Sequence, residues 1–160
     1  MNLKIKYFDG ATKLKKIEKG NWIDVYARQE VFIPLGEYKL IPLGFALELP
    51  KGYEGIIAPR SSTFKTWGCI QPNSIGVIDD TYIGDNDEWH GMLYCLQPKD
   101  IPNTTPGTWT TQDKVPGTTI RKGDKIAQFR IQKSMPEIIF EEVDKLENSN
   151  RGGFGTTGSI

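Results

Sequence analysis

Asp79 and Tyr82 stand three residues apart at the end of the apolar run Ile75-Gly76-Val77-Ile78, and Asn73 lies just ahead of that run. A carboxylate placed there can orient and deprotonate a water. A phenol offers a flat face to a sugar or a base, and an amide offers one donor and one acceptor side to a base edge. The same letters also suit a β-hairpin with turn-forming Asp residues. A second stretch, Pro59-Arg60-Ser61-Ser62-Thr63, ends an apolar run with an arginine and small hydroxyl residues. Backbone N–H groups at such a turn favour anions, and the guanidinium fork of Arg60 fits phosphate oxygens; an ordinary helix N-cap explains the hydroxyls equally well. Gln128, inside Lys125-Ile126-Ala127-Gln128-Phe129, is a polar amide on an apolar strand and needs a partner, either within the fold or a ligand oxygen. Asp24 interrupts Ile23-Asp24-Val25-Tyr26-Ala27, as a solvent-facing residue on an alternating strand or as a carboxylate near a metal and its waters. Finally, Arg151-Gly152-Gly153-Phe154-Gly155-Thr156-Thr157 joins a cation, an aromatic ring and glycines that let backbone N–H groups approach an anion. No Gly-Lys-Ser/Thr follows, so it is not a P-loop.

These groups need a rigid frame. Pro and Gly punctuate the chain, and between them lie short runs rich in Val, Ile, Phe and Tyr, such as Val31–Ile33, Phe45–Leu49, Gly55–Ala58, Gly91–Leu96 and Lys125–Ile131. Many short strands with tight turns predict an all-β sandwich or barrel. No stretch sustains a helical apolar period; Ser61 to Thr66 is the one short helix expected. Residues 97–119, rich in Pro, Thr, Lys and Gly, read as a long excursion between two strands. From Asn148 to Ile160 the chain is mostly Asn, Ser, Gly and Thr, too polar to bury itself, and a flexible arm is expected.

With 160 residues the chain is one domain's length. Lys+Arg and Asp+Glu are both 20, and zero net charge argues against a dedicated nucleic-acid binder while leaving room for a small basic phosphate pocket. Cys69 and Cys95 lie in apolar stretches; one disulfide is open to them, but two buried thiols in a reducing compartment are the expected state. No run reaches membrane-spanning length, and the N-terminal MNLKIKYFDG has no apolar leader core, so a cytoplasmic protein is expected, in a bacterium or a phage-infected host.

In order, Asp24, Pro59-Arg60-Ser61-Ser62, Gly76-Val77-Ile78-Asp79-Asp80-Thr81-Tyr82-Ile83-Gly84, Gly123-Asp124-Lys125-Ile126-Ala127-Gln128 and Arg151-Gly152-Gly153-Phe154-Gly155 resemble the five motifs of the trimeric dUTPase family. The resemblance implies a jelly-roll-like (β-clip) subunit over residues 1–147, with an insert at about 86–119 and an arm over 148–160. It implies a homotrimer with shared active sites that hydrolyses dUTP to dUMP and pyrophosphate, keeping uracil out of DNA and supplying dUMP for thymidylate synthesis. Carried over by position, Asp79 is the general base. Tyr82 packs on the deoxyribose and excludes a 2′-hydroxyl, and Asn73 helps read uracil alongside the backbone of the Asn73–Tyr82 hairpin. Arg60, Ser61, Ser62 and Gln128 contact phosphates, and Asp24 supports the catalytic centre. Arg151, Thr156 and Thr157 clamp phosphates and Phe154 covers the base. The implied cofactor is Mg²⁺, held by the triphosphate and waters rather than directly by side chains.

Two other readings suit parts of the sequence. A dCTP deaminase-related enzyme would share the subunit fold and the Arg-Ser-Ser of the second stretch. A regulatory module could use the 86–119 insert, with Trp89, His90 and Trp109, to dock a protein partner. His90, the single histidine, is expected to be structural or solvent-facing.

Overall fold

The computed structural model describes residues 1–15, 18–101 and 115–153. Among these the strands are β1 (Lys4–Tyr7), β2 (Ile23–Tyr26), β3 (Val31–Pro34), β4 (Tyr38–Pro42), β5 (Phe45–Glu48), β6 (Tyr53–Pro59), β7 (Cys69–Ile70), β8 (Gly76–Ile78), β9 (His90–Cys95), β10 (Gly117–Ile120) and β11 (Lys125–Lys133), with one helix, α1 (Thr63–Trp67). The apolar runs singled out in the sequence fall on β2, β3, β5, β6, β9 and β11, and the expected short helix is α1, two residues later than its hydroxyls suggest.

The strands form a four-stranded sheet in the order β2-β11-β6-β8, a three-stranded sheet β4-β9-β7, and the pairs β1-β5 and β10-β3. All of these ladders are antiparallel. One apolar core collects inward residues from both larger sheets, among them Val25, Ile41, Ile57, Leu93, Ile126 and Phe129. At its centre Phe45, Trp89 and Phe129 meet with ring centroids 5.2 to 6.0 Å apart. Trp89 is fully buried, so it is not the docking aromatic that its place near the insert suggests. Its indole Nε1 has no partner among the described residues. An orphaned buried donor costs ~1–3 kcal/mol, whereas sinking a ring of this size gains on the order of 4–6 kcal/mol, so packing wins. Gly55 on β6 makes the space: a β-carbon there would come within 2.5 Å of the Trp89 ring.

The chain between β8 and β9 departs from the expected hairpin. β8 pairs with β6, and β9 pairs with β4 and β7, so the two strands lie in different sheets. The cause is Trp89, whose burial carries the chain through the core: its N–H donates to Phe45 O at 2.9 Å and its carbonyl accepts from Leu43 N at 2.9 Å. On β11 the register against β2 shifts between Lys125 and Ala127. Such a bulge breaks strict alternation, which lets Ile126 and Ala127 both turn inward.

Candidate active site

Seven named candidates fall into two groups at opposite ends of β6, and β11 positions the first. Gln128 on β11 lies opposite Asp24 on β2 and Ala58 on β6, so the register sets Asp24 and Gln128 side by side on one face. Arg60 leaves the end of β6, and its Nε reaches Asp24 Oδ1 at 2.8 Å; Lys125 Nζ reaches Asp24 Oδ2 at 3.1 Å. Asp24 is thus a bridge between two cations, only partly exposed, rather than a solvated strand residue. The Gln128 amide donates to Pro59 O at 3.1 Å, the in-fold partner its position required. Arg60 Nη1 donates to Ser62 Oγ at 3.3 Å, while Ser61 is exposed.

The turn holding these groups is fixed by Thr63. Its buried hydroxyl accepts from Arg60 N at 2.9 Å and donates to Ile126 O at 3.3 Å, and its own N–H donates to Arg60 O at 3.0 Å. Ser62 occupies the N-cap position of α1 without making a side-chain cap bond. At the other end of α1, Gly68 takes a left-handed conformation (φ 63°), where a β-carbon would meet Gln97 O at 1.7 Å. The helix is one turn, clamped at both ends, and its start holds the Arg60 side chain toward β2.

The second group follows β8. Asp79 is exposed and directly follows the strand. The hydroxyl and the backbone N–H of Thr81 both donate to Asp79 Oδ1, the latter at 2.9 Å, leaving the second oxygen for a water. These bonds, the hydroxyl's first, hold the Asp79 carboxyl below its ordinary value, so it is ionised at neutral pH. Tyr82 has 39% of its surface exposed, and its hydroxyl donates to Glu88 O at 3.0 Å, fixing the ring with a face to solvent. Desolvation and then the nearby Asp87 and Glu88 raise its phenol pKa, so it stays a donor. Asn73 lies in the turn ahead of β8 and is exposed; because Gly76 pairs with Ile57, that turn lies toward the Arg60 end of β6 rather than with Asp79.

One chain does not bring the two groups together. Ile78 pairs with Gly55, which sets Asp79 level with Glu54, and Arg60 lies six residues farther along β6. At ~3.4 Å per residue the groups are about 20 Å apart. Arg151 is exposed in a segment without regular structure, and no described contact ties it to Arg60 or Gln128. Phe154, Thr156, Thr157 and Trp109 lie outside the described residues. His90 is exposed on β9, and its Nδ1–H donates to Glu88 O at 2.8 Å, a structural role. Cys69 and Cys95 are Cα partners on β7 and β9 and are free and buried; burial and the facing thiol push the Cys69 pKa up to about 12.

The SPbeta prophage-derived deoxyuridine 5′-triphosphate nucleotidohydrolase of Bacillus subtilis (strain 168) is 48% identical over 160 residues, covering 99% of each chain. The chain belongs to the dUTPase family. The dUTPase family model matches residues 16–88. The deoxyuridine 5′-triphosphate nucleotidohydrolase of Rickettsia canadensis is 33% identical over 159 residues, covering 97% of this chain and 93% of its own. Among solved structures, the Staphylococcus bacteriophage 80alpha dUTPase with dUpNHpp superposes with a TM-score of 0.74 at 19% identity, covering 99% of both chains. A mutant dUTPase of phage phi11 of S. aureus, described with a structural Mg(II) ion, gives 0.71 at 19% identity, covering 92% of this chain and 100% of that one. These likenesses establish the jelly-roll-like dUTPase fold.

Several residues that shape this dUTPase-family site escaped the sequence reading. Lys125 and Thr81 stand inside quoted motifs, and Asp-x-Thr is itself a turn signal through the hydroxyl and N–H two residues on. Thr63 stood in the sequence as one more hydroxyl of its stretch; its bond to Ile126 O, 63 residues away, left no local signal. Arg28 and Glu88, joined by bonds of 2.8 and 3.0 Å, are likewise far apart in sequence.

Proposed function

We propose that this chain is a dUTP diphosphatase, hydrolysing dUTP to dUMP and pyrophosphate in the cytoplasm, in a homotrimer whose sites are shared between copies. The observation that carries the reaction is Asp79: ionised, exposed, with one oxygen fixed by Thr81 and the other free to hold a water beside the anchored ring of Tyr82. The same reading assigns Asn73 to the uracil edge, and Arg60, Ser61, Ser62 and Gln128 to phosphate oxygens. In that scheme Asp24 orients Arg60, as the 2.8 Å ion pair supports.

Sharing between copies is supported by the separation along β6, since a nucleoside triphosphate held by Arg60 of one copy would meet Asp79 of another. The surface offers apolar area for such an assembly. On the outer face of the β4-β9-β7 sheet, Tyr38, Tyr94 and Ile70 form one row and Leu40 and Met92 the next, with Tyr38 58% and Leu40 55% exposed. Beyond β11, Ile139 and Phe140 are 86% and 91% exposed. Exposed patches of this kind mark association surfaces. Residues 148–160 form the arm, with Arg151, Thr156 and Thr157 on phosphates and Phe154 over the base, closing the site against bulk water.

Among the described residues no three His, Cys, Asp or Glu side chains could hold a metal by themselves. In this reading Mg²⁺ arrives on triphosphate oxygens and keeps several waters. When bound, Mg²⁺ neutralises triphosphate charge; the chain's own part is positioning and electrostatics. Asp79 aims and deprotonates the attacking water, while Arg60 and the neighbouring donors hold the oxygens that gain charge.

The test is pyrophosphate and ammonia release from dUTP, dTTP, dCTP and UTP, with molecular mass in solution. The expected result is pyrophosphate from dUTP alone, by a trimer. Ammonia release from dCTP would replace the hydrolase reading with a deaminase.

A further inference from the structure

We infer that the part-buried Arg28–Glu88 ion pair is a positioning device for Tyr82, and through it a determinant of how well the site excludes ribonucleotides. The inference rests on the reading of Tyr82 as the residue packed on the deoxyribose. Tyr82 stands on the stretch between Ile78 and Trp89, which crosses from one sheet to the other without strand pairing. A half-exposed ring on such a stretch stays in one orientation only if something holds its far end. That something is the Glu88 carbonyl, which accepts from the Tyr82 hydroxyl at 3.0 Å and from His90 Nδ1 at 2.8 Å.

The direction of that carbonyl is set on both sides. On one side the buried Glu88 carboxylate takes a two-pronged bond from Arg28, Nε to Oε1 at 2.8 Å and Nη2 to Oε2 at 3.0 Å, and a third from Gly44 N at 2.9 Å. Bidentate charge-assisted bonds fix geometry as well as charge. Arg28 is itself anchored, its N–H donating to Pro42 O at 2.8 Å and its guanidinium lying 5.8 Å from the centre of the Phe8 ring. On the other side Trp89 is locked in the core. The peptide carrying the acceptor is therefore held at both ends, and the Tyr82 hydroxyl takes its position from it. Glu88 touches no substrate in this scheme; it acts through Tyr82.

Two folded variants test this. Glu88→Gln keeps the volume and an oxygen for Gly44 N–H but loses the charge pairing with Arg28. Tyr82→Phe keeps the ring and loses the tether. Each is expected to lower the ratio of kcat/KM for dUTP over UTP by ~10-fold, since displacements of an ångström carry effects of this size. Hydrogen exchange should quicken for amides 80–87 in both variants, with β6 and β11 unchanged. A defect that merely weakened the fold would lower both substrates together and leave the ratio intact, which overturns the selectivity claim. Unchanged exchange over 80–87 would overturn the tether itself. If the unmodified protein failed to prefer dUTP while both variants loosened the loop, the tether would stand and the substrate reading would fall.

Discussion

At the Arg60 end of β6, side chains from three consecutive strands of one sheet are joined by ion pairs, and register alone puts Asp24 beside Gln128. At the Glu54 end, Asp79 and Tyr82 stand on irregular chain, Asp79 held by the hydroxyl and N–H of Thr81 and Tyr82 by one cross-loop bond to Glu88 O. The first end is rigid because a sheet cannot shift one residue without turning its core face outward. The second owes its shape to hydrogen bonds that open far more readily than a sheet. On the proposed reading, the groups that hold an anion are built into the frame, whereas the group proposed to activate water sits where small adjustments are cheap.

The largest effect expected from breaking this division is loss of the base. Asp79→Asn should lower kcat by ~10²–10⁴, as removal of a general base typically does, with nucleotide affinity by calorimetry close to normal. A variant retaining near-normal kcat would remove Asp79 from the reaction. The comparison also predicts a rescue. Arg60→Ala leaves Asp79 intact and Asp79→Asn leaves Arg60 intact, so copies of the two should complement when mixed and reassembled. At equal ratio about a quarter of sites would pair an intact Asp79 with an intact Arg60 across a subunit boundary, if each site draws on two copies related by symmetry. Turnover no higher than the average of the two single variants would mean that both groups of a site come from one chain.

A smaller effect is expected from loosening the rigid end without removing its cation. Asp24→Asn keeps the shape and deletes the charge that holds Arg60 and Lys125 at 2.8 and 3.1 Å. Its kcat/KM for dUTP should fall by ~10-fold, with most of the loss in KM, as expected when ground-state and transition-state binding weaken alike. A fall confined to kcat would instead assign Asp24 to the chemical step.

How much of this was legible in the sequence follows the same division. The strands of the rigid end announced themselves as apolar runs, and Asp24, Arg60 and Gln128 were conspicuous as polar residues on them. Their alignment across β2, β11 and β6 was not visible, because register is fixed by the whole sheet and here includes a bulge at Lys125–Ala127. At the Asp79 end the candidate residues stood out in the sequence and the local path was misread: Asp79-Asp80-Thr81 has hairpin chemistry, but the core's demand for Trp89 sends the chain into another sheet. That demand rests on Gly55, Phe45 and Phe129, all at least 34 residues from Trp89 in sequence, as 89 − 55 shows. Trp89 therefore read as a surface aromatic. Neither long-range partnership, Thr63 with Ile126 or Arg28 with Glu88, could have been inferred from spacing.

The smallest effect expected is one of pH, and it isolates the tether at the Asp79 end. Asp79 is held below its ordinary value chiefly by the Thr81 hydroxyl. Since the folded-state pKa is the lower one, the ionised form is favoured by folding; that contribution is present above the unfolded pKa and is lost as pH falls through the folded pKa. The base works only when ionised, so the acid limb of the kcat/KM profile should lie below ~3.9, the value of an unperturbed aspartate. Thr81→Ala removes the hydroxyl and keeps the backbone N–H, so the limb should move up toward that value while the plateau above pH 6 changes little. A stronger base accepts a proton more readily, but the carboxylate also loses the bond that aims it, and the two effects on the plateau oppose each other. An acid limb that did not move would separate the titrating group from Asp79. A plateau that collapsed with an unmoved limb would assign Thr81 to aiming the carboxylate alone.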